Sequence, residues 1–179
     1  KEIIKEYSAH FQKQLFDKKN SFALNYLKER KLSEEVIKKF QLGYVPINNF
    51  FEELSKKCSI EDIKSTGLYY FVEKNQKFID RFKNRIIFPI FNLSGDVIAF
   101  GGRIINDANL AKYINSPETE FFKKGRQLFN LNFAKDERTN SKDVIIVEGY
   151  MDVISLYSKG IKNVISNCGT AITESQINL

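Results

Sequence analysis

Residues 144–153 read VIIVEGYMDV, and they carry the clearest structural pattern at the end of the chain. Val144 to Val147 form an apolar, β-branched run, which is typical of a buried parallel strand. Glu148 and Gly149 end the run, and apolar residues at helical spacing begin after Asp152. The stretch therefore predicts a strand followed directly by a helix, the unit from which parallel sheets are built.

The residues that follow continue this alternation of strands and helices. Gly160 ends the first helix, Val164-Ile165 predicts a second short strand, and Thr173-Glu174 opens another helix. Strands that alternate with helices form parallel sheets with the helices packed over them. The fold class of residues 143–179 is therefore predicted to be α/β, as a parallel β-α-β-α unit.

The earlier part of the chain carries mixed patterns of helices and strands. Apolar residues at helical spacing predict helices before Gly43. Segments 85–91 and 97–104 are β-prone, and the turn residues between them predict a β-hairpin. Pro89, inside the first segment, indicates an edge position or a bulge. Residues 106–127 are polar and predict irregular structure.

The polar stretch 137–142 is the best candidate for a linker, because it precedes the clearest strand of the chain. We therefore predict a mixed α+β lobe over residues 1–142 and a second domain over residues 143–179. Residues 143–179 contain two lysines and four acidic residues, a net charge of −2. Because the whole chain carries +6, residues 1–142 carry +8. This asymmetry suggests that one part holds a polyanion and the other a cation, although a lysine-rich proteome would also explain a basic chain.

The composition is that of a globular protein, with 42% apolar and 28% charged residues. No apolar run approaches the roughly 18–20 residues that cross a bilayer, and the charged start of the chain does not resemble a signal peptide. Cys58, Cys168 and His10 are too few and too scattered for a zinc site or a disulfide framework. We therefore expect a cytoplasmic protein with no membrane contact and no zinc in this chain, and Lys1 in place of Met indicates that the chain begins inside a longer protein.

Two carboxylates are expected to meet at one edge of the predicted parallel sheet. Glu148 ends its strand, and ligands of open α/β sheets bind outside the carboxyl ends of strands. Asp152 lies in the first turn of the next helix, where side chains lean back toward the helix N-terminus. Together they would help to bind a hard cation such as Mg²⁺. Two carboxylates alone make a weak metal site, and a strand end followed by a first-turn acid also explains both residues.

A basic window over residues 81–126 carries eight cations against four acids. Arg81, Lys83 and Arg85 alternate with other residues, so they would share one face of a strand. The segments 112–113 and 122–126 mix cations with aromatic residues, a combination that suits a groove where phosphates bind and bases stack. An ordinary solvated surface would show a similar excess of charge.

Several segments of the chain resemble, in order and at similar spacing, motifs of bacterial DnaG-type DNA primases. The basic part supplies four, namely residues 80–90 (Arg-Phe-Lys-Asn-Arg before Phe-Pro-Ile), 95–103 (ending Phe-Gly-Gly-Arg), 112–119 (Lys-Tyr-Ile-Asn-Ser-Pro-Glu-Thr) and 122–128 (Phe-Lys-Lys-Gly-Arg-Gln-Leu). The stretch VIIVEGYMDV is similar to the first motif of the family's Toprim catalytic domain, and residues 167–173 resemble its second strand and Gly-Thr turn. The resemblance spans nearly the whole chain.

The resemblance implies roles for particular residues. Glu148 would be catalytic and a ligand of Mg²⁺ or Mn²⁺, Asp152 would support it, and Gly169 and Thr170 would shape the neighbouring rim. The residues that would bind template DNA or the incoming nucleotide are Arg81, Lys83, Arg103, Lys112 and Lys124, with Arg85 as a weaker candidate. Lys83 stands where the family commonly has arginine, so the charge is kept but the bidentate fork is lost.

The resemblance also implies an activity, which is the synthesis of short RNA primers on single-stranded DNA from ribonucleoside triphosphates. The replicative helicase and the single-strand-binding protein would be partners. The family's zinc ribbon and later Asp-x-Asp strand have no counterpart in these residues, so we expect the chain to be catalytically incomplete. Two alternatives stay open: another Toprim enzyme, such as a topoisomerase or nuclease, and a non-catalytic module that binds single-stranded DNA.

Overall fold

A computed structural model describes residues 1–47, 50–107, 109–136, 143–169 and 171–179 of the chain. Helices and strands follow one another in the order α1 (Glu2–Leu15), α2 (Ser21–Glu29), α3 (Glu34–Lys39), β1 (Gly43–Val45), α4 (Phe51–Ser55), α5 (Ile60–Ser65), β2 (Tyr69–Val72), β3 (Lys77–Asp80), β4 (Arg85–Phe91), β5 (Val97–Ile104), β6 (Tyr113–Asn115), α6 (Leu131–Ala134), β7 (Ile145–Val147), α7 (Tyr150–Ser158), β8 (Val164–Ser166) and α8 (Glu174–Ile177). Within the described ranges, no helix is long and apolar enough to span a membrane.

The central sheet is antiparallel and has the strand order β1-β4-β5-β6. The predicted hairpin is confirmed as β4 and β5, and its turn is closed by hydrogen bonds of 2.9 Å that the backbone N–H groups of Asn92 and Asp96 donate. Among the residues that the structure describes, strand β1 pairs only with Arg85–Ile87, so Pro89 has β5 as its single strand neighbour there, and the register shifts between Ile90 and Phe91. Pro89 is therefore tolerated at a local edge next to a bulge, as expected.

Two strands of this sheet lie in segments that were not predicted as strands. Residues Gly43–Val45 pair with β4, although the sequence there indicated only the end of a helix, and Tyr113–Asn115 pair with β5 inside the segment predicted to be irregular. Each strand has three residues, which is too short for an alternating pattern to be recognised. Their pairing is decided by the long hairpin on which they dock.

One face of the sheet is covered by α1. Tyr7, Phe11 and Leu15 of this helix are almost fully buried, and the rings of Tyr7 and Phe100 lie 5.2 Å apart between centroids. Truncation of a buried aromatic residue of this kind typically costs about 3–5 kcal/mol. The helix predicted from the first residues of the chain therefore packs on the hairpin that carries Arg103.

The parallel unit is confirmed, because β7 and β8 pair in parallel with Ile145 opposite Val164 and Val147 opposite Ser166. The expectation that the first strand is buried is wrong: Ile145 and Ile146 are 40% and 50% exposed. Strand β7 has only β8 as a neighbour among the strands described.

The two predicted domains share one hydrophobic cluster. Met151 and Ile154 of α7 are buried together with Leu27, Phe40 and Phe88 from the earlier part of the chain. The candidate linker 137–142 lies outside the described residues, and the boundary between the two domains stays a prediction. The shared cluster brings the end of β7 close to the central sheet.

Candidate functional site

The acidic pair lies where β7 ends and α7 begins. Glu148 follows the last residue of the strand, Gly149 precedes the first turn of the helix, and Asp152 lies in that turn. A Cβ atom at Gly149 would come within 3.2 Å of Oδ2 of Asp152, so this carboxylate leans back over the start of the helix as expected. Both carboxylates are exposed, and neither forms an ion pair with a described residue.

These two oxygen donors fit a partial magnesium site. Protein Mg²⁺ sites commonly use one or two carboxylates, and water and substrate phosphates complete the octahedron. The described residues contain no group of three or more His, Cys, Asp or Glu that could hold a metal. An open depression beside Glu148 is also lined by Asn167, Gly169 and Ala171, whereas Thr170 lies outside the described residues.

Arg103 is the centre of a cluster of cations and aromatic rings. It lies on β5 opposite Tyr113 of β6, and its guanidinium donates a hydrogen bond of 2.6 Å to the Tyr113 hydroxyl. The guanidinium also lies 5.2 Å from the centroid of the Tyr26 ring, and Arg30 lies 5.3 Å from the same ring. The half-buried Arg103 is therefore held between two aromatic faces.

The start of α7 lies beside this cluster, because the ring of Tyr150, the first residue of the helix, lies 6.5 Å from the ring of Tyr113 between centroids. Burial raises the pKa of the Tyr113 hydroxyl, the charge of Asp152 raises it further, and Arg103 acts in the opposite direction. Asp152 and Arg103 therefore act on the same phenol from the two predicted domains. The structure thus places the start of α7, which carries Asp152, beside a cluster of cations and aromatic rings of the kind that can bind phosphate and stack on a base.

Sequence reasoning did not single out Tyr26 and Arg30 for this cluster. They are four residues apart at the end of α2, so they lie on the same face of the helix. An aromatic residue and an arginine at that spacing were the available signal. It was not specific, because nothing local indicates that the α2 face packs beside β5 and β6.

The glycines that precede Arg103 allow the two parts of the chain to approach closely. A Cβ atom at Gly101 would overlap the ring of Tyr150, and one at Gly102 would overlap the ring of Phe82. Tyr150, the first residue of α7, stacks on Phe88 and donates a hydrogen bond of 2.6 Å to Oδ1 of Asn115. The Phe-Gly-Gly-Arg segment therefore seats the residue that follows the Glu-Gly pair directly on the central sheet.

Asn115 links β6 to the end of the chain. Its side-chain carbonyl accepts the Tyr150 hydroxyl, and its amide donates a hydrogen bond of 2.7 Å to the backbone carbonyl of Cys168. The oxygen and the nitrogen of the Asn115 side-chain amide therefore both form hydrogen bonds with residues of the second predicted domain. Lys112, which precedes β6, is exposed at this edge of the sheet.

Arg81 and Lys83 do not share a strand face with Arg85, so that expectation is wrong. Residues 81–84 form a turn between β3 and β4, in which Asp80 accepts the backbone N–H of Phe82 at 2.8 Å. Nε of Arg81 donates to the Gly67 carbonyl at 2.9 Å, and Lys83 is exposed. The short side chain of Asp80 accepts a hydrogen bond from a nearby backbone N–H group. This local hydrogen bond favours a turn and competes with strand pairing.

Arg85 is buried at the start of β4. Its guanidinium donates to the backbone carbonyl of Ala111 at 2.8 Å and lies 3.4 Å from that of Lys112, and burial lowers its pKa. The side chain therefore supports the segment that carries Lys112. Arg85 faces the protein rather than an open groove, which agrees with its rank as the weaker candidate.

Lys124 lies in a 3-10 turn, Lys124–Arg126, at the end of the basic window. The side chain of Lys124 is half-buried and that of Arg126 is exposed. The Lys124 backbone N–H donates to Oε1 of Glu118 at 3.2 Å, and the same carboxylate lies 3.6 Å from Nζ of Lys123. Glu118 therefore pairs with Lys123 and leaves the charge of Lys124 available.

Residues 10–135 match the family described as DNA primase catalytic core, N-terminal domain, and residues 142–179 match the Toprim domain. The chain belongs to the DNA primase family. The match covers most of the chain, and the resemblance read from the motifs is thereby confirmed.

Similar proteins agree with this assignment. The chain is 43% identical over 162 residues to a DNA primase of Clostridium acetobutylicum, a match that covers 89% of the chain and 27% of that primase. It is 39% identical to a DNA primase of Legionella pneumophila, covering 99% of the chain and 30% of the relative. The chain thus spans less than a third of the length of these curated primases.

The fold is also that of a solved primase core. A structure described as the DnaG primase catalytic domain bound to single-stranded DNA is similar with a TM-score of 0.90 and 33% identity, over 99% of the chain and 56% of that domain. The predicted combination of a mixed lobe and a Toprim-like parallel unit is therefore confirmed.

Proposed function

We propose that this chain holds single-stranded template and ribonucleoside triphosphate beside a metal site at Glu148, as part of a primase that synthesises short RNA primers. The observation that carries the proposal is the packing of Tyr150, the first residue of α7, against the strands that carry Arg103 and Tyr113: its ring lies 6.5 Å from that of Tyr113, and its hydroxyl donates to Asn115 of β6 at 2.6 Å. A cation site and a phosphate-binding cluster must be adjacent if a triphosphate is to react between them.

The reaction would be attack of a nucleotide 3′ hydroxyl on the α-phosphate of the next nucleotide, with pyrophosphate as the leaving group. Glu148 and Asp152 would hold Mg²⁺ or Mn²⁺, which when bound neutralises charge on the phosphates and favours deprotonation of the hydroxyl. Arg103, Lys112 and Lys124 would bind phosphate oxygens. Tyr113 offers an aromatic face on which a base can stack.

Arg81, Lys83 and Arg30 extend this proposal to the template strand. Arg30 lies beside the Arg103 cluster, and Lys83 is exposed in the turn before β4. A related DnaG catalytic domain is described as bound to single-stranded DNA, which supports the class of ligand. The replicative helicase, the single-strand-binding protein and a cytoplasmic location are proposed from family membership.

The family match favours a primase over the other candidates. A topoisomerase or nuclease would share the Toprim segment, but residues 10–135 match the N-terminal domain of primase catalytic cores. A non-catalytic module that binds single-stranded DNA would explain the cations, but it would not account for the match of residues 142–179 to the Toprim domain.

The test is binding of a fluorescent single-stranded oligonucleotide across a salt series, by the wild-type chain and by a Lys112→Ala/Lys124→Ala variant. Each phosphate contact adds about 0.7 to the magnitude of the log–log salt slope for single strands, so the variant should bind more weakly and lose up to about 1.4 of slope. A matched control is Lys18→Ala/Lys19→Ala, which removes two cations from the short turn after α1. Equal slopes for the wild type and the Lys112/Lys124 variant would overturn the assignment.

A further inference from the structure

The loop that carries Lys124 is held by the last helix of the chain. Three backbone carbonyls of residues 123–127, those of Lys124, Gly125 and Gln127, accept hydrogen bonds from side chains at the start of α8. These donors lie about 50 positions further along the sequence, in the segment that also carries Glu148. The 123–127 loop therefore connects the basic window to the acidic segment.

Gln176 makes most of these contacts. Its side chain is almost completely buried, and Nε2 donates to the carbonyls of Lys124 at 2.9 Å and Gln127 at 2.8 Å. Its Oε1 accepts the backbone N–H of Thr173 at 3.0 Å. The orientation of the amide follows from its neighbours, because two carbonyls can be satisfied only by the NH₂ group.

Thr173 completes the arrangement from the N-terminus of α8. Its hydroxyl donates to the Gly125 carbonyl at 2.6 Å and accepts the backbone N–H of Gln176 at 3.1 Å. The two side chains form a capping box, so the groups that stabilise the helix end also bind the loop. Loss of the Gln176 side chain would remove the side-chain donor to the Gln127 carbonyl, and loss of the Thr173 hydroxyl would remove the donor to the Gly125 carbonyl, both in a partly buried place.

We propose that Gln176 and Thr173 are positioning residues that set the place of Lys124 for phosphate binding. This inference rests on the proposed function, in which Lys124 contacts the template or the triphosphate. Glu118 holds the other side of the loop through the Lys124 backbone N–H. The position of Lys124 relative to the acidic pair is therefore decided by α8, within the segment that carries Glu148.

The test replaces Gln176 with methionine, which has a similar length, carries no charge and donates no hydrogen bond. The matched control is Ser175→Met, which introduces the same side chain at the exposed neighbouring position of α8. Binding of a fluorescent single-stranded oligonucleotide is measured over a salt series at a temperature where circular dichroism shows every variant to be folded. One lost phosphate contact corresponds to a slope lower by about 0.7, which is roughly fivefold in affinity near 0.1 M salt.

We expect Gln176→Met to reproduce the loss seen for Lys124→Ala, and the double variant to bind no more weakly than Lys124→Ala alone. Thr173→Val should act in the same direction, and Thr173→Ser should restore wild-type binding because it keeps the hydroxyl. Thr173→Val also serves as the test if Gln176→Met does not fold.

The two proposals fail in different ways. If Lys124→Ala leaves binding unchanged, the role of Lys124 in the proposed function is wrong and the inference falls with it. If Lys124→Ala weakens binding but Gln176→Met and Thr173→Val keep the wild-type slope, only the positioning role is overturned. A purely structural role of Gln176 would lower the melting temperature and give effects that add to those of Lys124→Ala.

Discussion

Asp80 is a buried carboxylic acid whose replacement by asparagine should remove a pH dependence of stability. Its Oδ1 accepts hydrogen bonds of 2.8 Å from the Tyr7 hydroxyl and from the Phe82 backbone N–H, whereas its buried Oδ2 has no hydrogen-bond partner among the described residues. Burial raises the pKa of Asp80 to about 6, although the hydrogen bonds from Tyr7 and Phe82 and the nearby Tyr69 hydroxyl act to lower it. The ionised form is therefore the unfavourable one in the folded chain.

The magnitude follows from the difference between the folded pKa of about 6 and the ordinary value of 3.8. At about 1.4 kcal/mol per pH unit, ionisation of Asp80 costs the folded state about 3 kcal/mol. Because the folded pKa is the higher one, the folded chain binds the proton more tightly than the unfolded chain. The stability that the protonated carboxyl contributes is complete below the unfolded pKa of 3.8 and is lost as the pH rises through 6.

The assay is urea unfolding of the wild type and of Asp80→Asn between about pH 4.5 and pH 7.5. The amide keeps an oxygen that can accept from Tyr7 and Phe82, but it does not ionise. The free energy of unfolding of the variant, minus that of the wild type, should rise by about 2 kcal/mol over this range. The exposed Glu73→Gln substitution is the control for loss of one acidic group. A difference that stays constant with pH, or that falls, would refute the reasoning.

Two further predictions concern the contact between the parts of the chain and the acidic pair. Gly101→Ala should destabilise the fold by about 1–3 kcal/mol, because its Cβ would overlap the Tyr150 ring. Urea unfolding should show this loss, and a free energy of unfolding equal to that of the wild type would contradict the prediction. In the full-length protein, Glu148→Gln should abolish primer synthesis from labelled ribonucleotides but preserve binding of single-stranded DNA; unchanged synthesis would favour the non-catalytic alternative.

The strongly patterned elements could be predicted from the sequence. The hairpin of β4 and β5 follows from two long β-prone segments separated by turn residues, and the parallel pair β7 and β8 follows from strands alternating with a helix. The shorter strands β1 and β6 could not be predicted, because three residues carry little periodicity and their partners are distant in sequence. The turn at residues 81–84 was misjudged because Asp80 redirects the backbone locally.

The candidate site also has residues whose positions could be predicted from the sequence and residues whose positions could not. The positions of Glu148 and Asp152 followed from one strand and one helical turn, so ten residues were enough to place both carboxylates at the same rim. The buried state of Arg85 and the additional residues Tyr26 and Arg30 depended on packing between segments. Charge in a sequence does not show whether a side chain faces solvent or a backbone carbonyl.

The family, the order of the main elements and the positions of the two carboxylates at the end of β7 and the start of α7 could therefore be predicted from the sequence, because these depend on local periodicity and on contiguous motifs. The contacts that hold the cationic segments in place could be seen only in the folded chain. The Tyr150–Asn115 contact and the Gln176 contacts with the 123–127 loop join residues 35 to 52 positions apart. Such contacts depend on buried hydrogen bonds and close packing between segments, which no local pattern records.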